Sequence, residues 1–454
     1  MVGGMPYDQS RKQLLNEIIR KQEDDAGGKA RLRSAKLLVK GQTILAPIYR
    51  FQLDDLAYNK SNGRVKAEVI EKEAELGRTL DQFDKGDGKI IGDILLSIRK
   101  DENDKIREDL RKNTQITPGI VTVDGIVING NRRKALLTEL YQETHDDKFK
   151  YLDTHMLPSD ISKAELWLIE AGIQLSAPQQ LDYSPINNLL KLREGINAGL
   201  SSADMASRIY GVSEDKINSD LERLTLIDEY LSDFLGKEGK YYLVKYLDNH
   251  FINLLNISNY LKNPRGIRRD WNPTEDDLNE LKLVAFYYIR MRMPHLRIRD
   301  LRDIFLISSS WQKVRQALSV DSNLTEEERE KFKIGASSED TIFDENDEDP
   351  IENGEEENGG AITASEEEDN REETAWRENR KDALKSFFED AKEQKSIHDN
   401  SEKPLILAQR ALNNIQGIPE DGNKLSDPDI DRVLSEIVSQ INIIRKAIKN
   451  SSKH

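Results

Sequence analysis

The whole net charge of the chain, −16, lies between Glu339 and Glu373, where seventeen acidic residues stand against a single basic one, Arg371. Such a window repels itself and offers little apolar surface to bury, so it is expected to stay disordered and extended. It divides the 454 residues into a long N-terminal part and a short C-terminal one, with an acidic linker predicted over 321–375. The remainder is electrically balanced, so the low pI is no argument against a nucleic-acid or nucleotide ligand. The absence of cysteine excludes a disulfide framework, zinc–cysteine sites, iron–sulfur clusters and a thiol nucleophile. No run approaches the ~18 apolar residues of a membrane span. The first residues lack an apolar signal core, and the expectation is a cytoplasmic protein with no membrane partner.

Hydrophobic spacing divides the rest. Residues 1–40 read as a helical, partly basic extension, with Leu14, Leu15, Ile18 and Ile19 on one face and Gly27-Gly28 ending it. Residues 41–157 read as a mixed α/β unit. Ile44 to Tyr49 suits a strand, and Ile90 to Arg99 and Ile106 to Lys112 suit helices. Two β-branched runs, Ile120 to Val123 and Ile126 to Ile128, flank Asp124-Gly125, a hairpin signal. A helix from about Asn131 to Gln142 and a strand over Phe149 to Leu157 follow. Residues 158–235 and 236–320 carry helical periodicity throughout. Residues 376–454 form a C-terminal helical module: one helix around Trp376 to Ala391, a second opened by Pro404, and a third from near Ser426. The third repeats Ile430, Val433, Ile437, Ile441, Ile444 and Ile448 at three- or four-residue steps, which suits either a small bundle or a homodimer seam.

The stretch Gln115 to Leu136, QITPGIVTVDGIVINGNRRKAL, carries the chemistry. A hairpin ends at Gly130 and a helix starts at once. The first N–H groups of a helix lack internal partners and carry partial positive charge. Asn131 is placed to cap it. Arg132 and Arg133 then fall in the first turn, where cations are unfavourable unless an anion such as a phosphate sits at the helix end. The alternative is a solvated basic turn, or arginines paired with acids such as Asp93 or Glu108.

Gly130-Asn131-Arg132-Arg133-Lys134-Ala135, preceded by Ile126-Val127-Ile128, resembles the G-x-R-R box of the ParB/sulfiredoxin-like N-terminal domain family. Asn113 to Val121 resembles that family's lead-in, and Leu53 to Asn59 with Asn62-Gly63-Arg64 resembles its opening N-x-x-x-x-R turn. Leu168 to Gln174 resembles its E-N-x-Q-R box. The resemblance covers roughly residues 41–235. It implies an α+β ParB/sulfiredoxin-like domain followed by mostly helical domains, and a nucleotide triphosphate ligand, CTP or ATP with magnesium. Carried over by position, Arg64, Gly130, Asn131, Arg132 and Arg133 would contact phosphate, and Glu170 would help hold a metal or the triphosphate. Asn131 stands where the box usually has an acid or histidine, and the last box ends Gln174-Leu175. The lack of cysteine excludes the sulfiredoxin reaction.

From Leu200, LSSADMASRIYGVSEDKINSDLERL resembles the helix-turn-helix that follows this domain in partition proteins. Ser201 or Ser202 and Ser213 are the expected caps, and Gly211 the turn. The reading helix would present Lys216 and Arg223, against Glu214, Asp215, Asp220 and Glu222, a poor balance for a phosphate-lined groove. A second basic patch gathers Arg265, Arg268 and Arg269 around Trp271, with Arg290, Arg292, Arg297, Arg299 and Arg302 beyond. Cations interleaved with an aromatic can follow a nucleic-acid backbone and stack a base. Asp270, Asp276, Asp277, Asp300 and Asp303 offer internal pairing instead. The acidic window is a candidate cover for this patch.

The six histidines show no metal-ligand spacing, and no G-x-S-x-G or P-loop element occurs. The expected function is a ParB-like, DNA-associated protein that binds a nucleotide at its G-N-R-R box. A ParB-like nuclease or phosphotransferase, and an interaction scaffold without ligand, are the alternatives.

Overall fold

The computed structural model describes residues 7–174, 184–209, 211–262, 269–321, 364–416 and 428–451. Helix α1 (Gln9–Asp25) is capped by the Asp8 side chain, which accepts from Arg11 N–H. Leu15 is buried, and Ile18 and Ile19 pack on the same core, whereas Leu14 is exposed. The N-terminal extension is not wholly helical. Strands β1 (Ser34–Val39) and β2 (Gln42–Pro47) form an antiparallel hairpin. Its turn, Lys40-Gly41, has both residues at positive φ, the geometry that matches strand twist. Leu37, Val39 and Ala46 seat this hairpin against Ile120 and Ile128 of the main sheet and Leu157 just beyond it.

That sheet has five strands: β3 (Tyr49–Gln52), β4 (Ala57–Tyr58), β5 (Gly119–Val121), β6 (Ile126–Asn129) and β7 (Tyr151–Met156), in the order β3-β7-β5-β6-β4. The β5–β6 hairpin is antiparallel, while β4 runs parallel to β6 and β5 parallel to β7. A Cβ at Gly119 would come within 2.7 Å of the Asn129 carbonyl, so only glycine permits this close pairing. Helices α2 (Lys66–Leu76), α3 (Lys85–Ser97), α4 (Lys100–Asn113) and α5 (Asn131–Thr144) complete the unit. Leu136, Leu137 and Leu140 of α5 pack on Val121, Val127 and Leu152 of the sheet. Each such buried side chain contributes about 1.5–3 kcal/mol.

Beyond β7 the described chain is predominantly helical: α6 (Lys163–Gln174), α7 (Pro185–Asn197), α8 (Ser202–Ala206), α9 (Glu214–Glu229), α10 (Asp248–Lys262), α11 (Glu275–Arg290), α12 (His295–Phe305) and α13 (Ser308–Val314). Ser201 caps α8, Ser213 caps α9, and Gly211 takes positive φ between them. One apolar cluster takes in Leu224 and Tyr230, then Phe251, Tyr288 and Trp311, so it runs across the expected boundary at 235.

The C-terminal part departs from expectation. Helix α14 (Ala364–Gln416) is continuous for 53 residues. It begins before 375, inside the expected linker, and Pro404 lies within it rather than opening a second helix. Trp376, Leu384, Phe388 and Ala391 belong to the same apolar cluster as Tyr288 and Trp311. The first half of α14 is thus part of the helical core rather than a separate module. Helix α15 (Pro428–Ser451) follows and exposes Val433, Val438, Ile441 and Ile444. Among the described residues, no helix is long and apolar enough to cross a membrane.

Candidate anion-binding site

Strand β6 ends at Asn129, Gly130 turns the chain at φ 109°, and α5 begins at Asn131 with no side-chain cap. Asn131 therefore does not cap the helix as expected, because Gly130 holds that position. Its amide is buried and spent inside the protein. Oδ1 accepts from the Asn59 N–H at 3.0 Å, and Nδ2 donates to the Val127 carbonyl at 2.6 Å. Its side chain is a joint and is not offered to a phosphate. It fastens the N-x-x-x-x-R turn to the arginine box, two segments 72 residues apart.

The turn itself is built from asparagines. Asn59 Oδ1 accepts from the Ser61 N–H and Asn62 Oδ1 from the Arg64 N–H, each at 3.0 Å, local bonds that favour turns over helix. The Arg64 carbonyl accepts from Asn187 Nδ2 of α7 at 3.3 Å, and its side chain is half-buried. Lys66, next along, has its amine pulled below the usual lysine range, chiefly by burial. Positional matching to a motif gave no reason to single out Lys66.

The two arginines of the box differ. Arg132 pairs with Glu102 at 3.0 Å, and Glu102 also pairs with Arg99 at 2.6 Å. Burial works against the Glu102 charge, yet the hydrogen bonds and fields of Arg99 and Arg132 hold its carboxyl below the ordinary range. Arg132 thus meets an acid of its own protein, Glu102 of α4. Arg133 donates to the Thr117 carbonyl and to Asn129 Oδ1. Among the described residues it has no carboxylate partner, and burial lowers its pKa. A guanidinium bonded only to neutral oxygens is incompletely compensated.

Glu170 does not fit the expected role. It is buried and pairs with Lys191 at 2.7 Å, and Lys191 also meets Glu194 at 2.9 Å. This ion pair clamps α6 to α7, so the carboxylate is not offered to a magnesium ion. Among the described residues no group of three His, Asp or Glu side chains could hold a metal.

A cavity of about 340 Å³ opens elsewhere, between α1, β4, α3 and α5. Lys134, Tyr58, Phe83 and Arg11 line it; Arg132 and Arg133 do not. The resemblance to the box assigns Lys134 no role. The signal for it was a cation beside Ala135, Leu136 and Leu137, on a helix otherwise committed to the core there.

The proposed nucleic-acid contacts are scattered. Arg223 is buried between Asp220 at 2.9 Å and Asp248 at 3.4 Å, and Lys216 pairs with Asp220 at 2.7 Å. Both cations of the expected reading helix are thus answered within the protein. Trp271 donates its indole N–H to the Phe305 carbonyl at 2.8 Å and packs edge-on against that ring, so it anchors the core instead of offering a stacking face. Arg297 lies 4.0 Å from Glu389. Arg290 pairs with Glu373 and Arg302 with Asp303, each at 2.8 Å. Arg269 and Arg299 are exposed. Arg265 and Arg268 lie outside the described residues.

No family model matches the chain, and no curated protein matches its sequence.

Proposed function

We propose that the chain is a DNA-associated, ParB-like protein that binds a nucleotide triphosphate or another phosphate group at the start of α5. The observation that carries this reading is Arg133, half-buried at an uncapped helix start and bonded only to a carbonyl and an amide oxygen. A phosphate would complete its compensation and meet the helix N–H groups at the same place. The Asn59–Asn131 bond supports the reading further, since it fastens the Asn59 turn to the start of the box. Arg132 would exchange Glu102 for phosphate on binding. Arg269 and Arg299 are the remaining exposed candidates for DNA contact.

Calorimetry with CTP, ATP and GTP tests the proposal. At least one should bind, and Arg133→Ala should weaken it by roughly ten- to a hundredfold, the worth of a hydrogen bond to a charged group. No heat with any triphosphate, or unchanged affinity in the variant, overturns it. For DNA, Arg269→Ala with Arg299→Ala should reduce the slope of log affinity against log salt by up to about two; an unchanged slope removes these contacts.

A further inference from the structure

The cavity flanked by α1, α3 and α5 is not explained by the arginine box. Its floor holds Lys134, only 6% exposed. Among the described residues, the ammonium has no hydrogen bond and no carboxylate; its contact is the face of Tyr58, with Nζ 3.7 Å from the ring centroid. Arg11 enters from α1. Its Nε donates to the Asp124 carbonyl at 3.0 Å and its Nη2 to the Asp55 carbonyl at 2.5 Å. Its guanidinium lies over the Phe83 ring, 4.9 Å from the centroid. Both cations are thus oriented by aromatic faces and main-chain oxygens, and neither is neutralised by an ion pair. Acids line the cavity too, Asp54 and Asp93 among them, but these two are exposed and do not reach Lys134 as ion pairs.

The wall of α3 makes room. Gly88 and Gly92, one turn apart, both line the cavity. A Cβ at Gly88 would meet nothing within 4 Å, and one at Gly92 would press on Tyr58 at 3.2–3.3 Å. Glycine inside a helix destabilises it by roughly 1 kcal/mol relative to alanine, so two on one face come at the expense of helix stability and leave a hollow. Leu53, Leu56 and Leu96 supply apolar lining. The volume falls in the usual range of small-molecule sites.

We propose that this cavity is a second binding site, for a small planar organic anion of mononucleotide size or less, with its acidic group taken by Lys134 and Arg11 and its ring set among Phe83, Tyr58 and the leucines. The acidic group can be a carboxylate or a phosphate. This inference does not depend on the reading of the arginine box.

The test uses the full chain and four probes, AMP, CMP, indole-3-acetate and inorganic phosphate, in calorimetry with Lys134→Met, Arg11→Gln and Arg133→Ala. One of the three organic anions should bind Arg133→Ala, in which the arginine box is disabled, and weaken by roughly tenfold or more when Lys134→Met or Arg11→Gln is added to it. The nucleotides distinguish a phosphate-bearing ligand from the carboxylate of indole-3-acetate. Acylation followed by mass spectrometry gives a second readout on the wild-type chain: the bound anion should protect Lys134. No saturable binding to Arg133→Ala up to about 10 mM, binding there that Lys134→Met leaves unchanged, or inorganic phosphate binding Arg133→Ala as tightly as the organic anions do would each overturn the proposal. So would labelling of Lys134 that the bound probe leaves unchanged.

Discussion

Lys134 holds its charge against its surroundings. Burial is the main cause that pulls its pKa down to about 8, with Arg11 adding to it and Asp54 opposing. Between about pH 8 and 10.5 the unfolded chain binds a proton there that the folded chain does not, so stability rises with pH across that window. Below it the folded state bears the full penalty, on the order of 3 kcal/mol. Lys134→Met should therefore raise the melting temperature at pH 7 and flatten the rise above pH 8. An unchanged melting temperature would show that the ammonium is solvated through the cavity mouth. Asn131 works in the opposite sense. Asn131→Ala leaves the Asn59 N–H and the Val127 carbonyl without their partner, a loss of about 2 kcal/mol, measurable as a lower urea midpoint. The positions of both residues were legible in the G-N-R-R-K run. Their roles were not, because a partner 72 residues away or an aromatic face leaves no local pattern.

At the scale of elements, local signals held where the chain answers to itself. The Asp124-Gly125 hairpin, the serine caps of α8 and α9 and the Gly27-Gly28 break are set by backbone preference within a few residues. Of the β1–β2 hairpin, the strand expected at Ile44 to Tyr49 overlaps β2, but β1 was not expected, because Ser34 to Val39 is short and has no clean alternation, so periodicity alone does not separate helix from strand. Pro404 falls inside α14 although proline opens helices by preference; a helix interior tolerates one at a cost of about 3 kcal/mol. The α6–α7 clamp gives a direct check on Glu170. Glu170→Ala leaves buried Lys191 with Glu194 as its carboxylate partner among the described residues, and a broken buried pair costs about 3–5 kcal/mol. The variant should melt markedly lower while its triphosphate affinity stays at the wild-type value. Lost affinity without lost stability would restore Glu170 to the ligand site.

Across the whole molecule, the acidic window ends by docking. Asp369 meets Lys237 and Lys240, each at 2.5 Å, and accepts from the Tyr242 hydroxyl; Glu373 takes Arg290 at 2.8 Å. Trp376 stacks on Tyr287, and the Tyr288 hydroxyl donates to the Leu384 carbonyl at 3.1 Å. Truncation after residue 363 should uncover this apolar face and give a chain that binds a hydrophobic dye and melts lower. Deletion of 339–363 removes the acids of the window that precede α14 and leaves Asp369 and Glu373 in place, so it isolates the shielding of the proposed DNA contacts by the deleted acids; tighter DNA binding at low salt is the expected result. His250 adds an acid limit. Burial holds its imidazole down to about 4, even though Nε2 meets the Met293 carbonyl at 2.7 Å. The unfolded chain takes up that proton first, so stability should fall as pH drops from about 6.5 to about 4, and His250→Gln should blunt the fall. By itself the sequence determined the mixed sheet domain, the helical remainder, the turn and cap positions and the place of the arginine box, since these rest on spacing and backbone preference along the chain. Only the tertiary structure decided which cations are answered. Whether Arg133, Arg223 or Lys134 meets a carboxylate depends on how distant elements pack, and residue order does not encode that pairing in any local form.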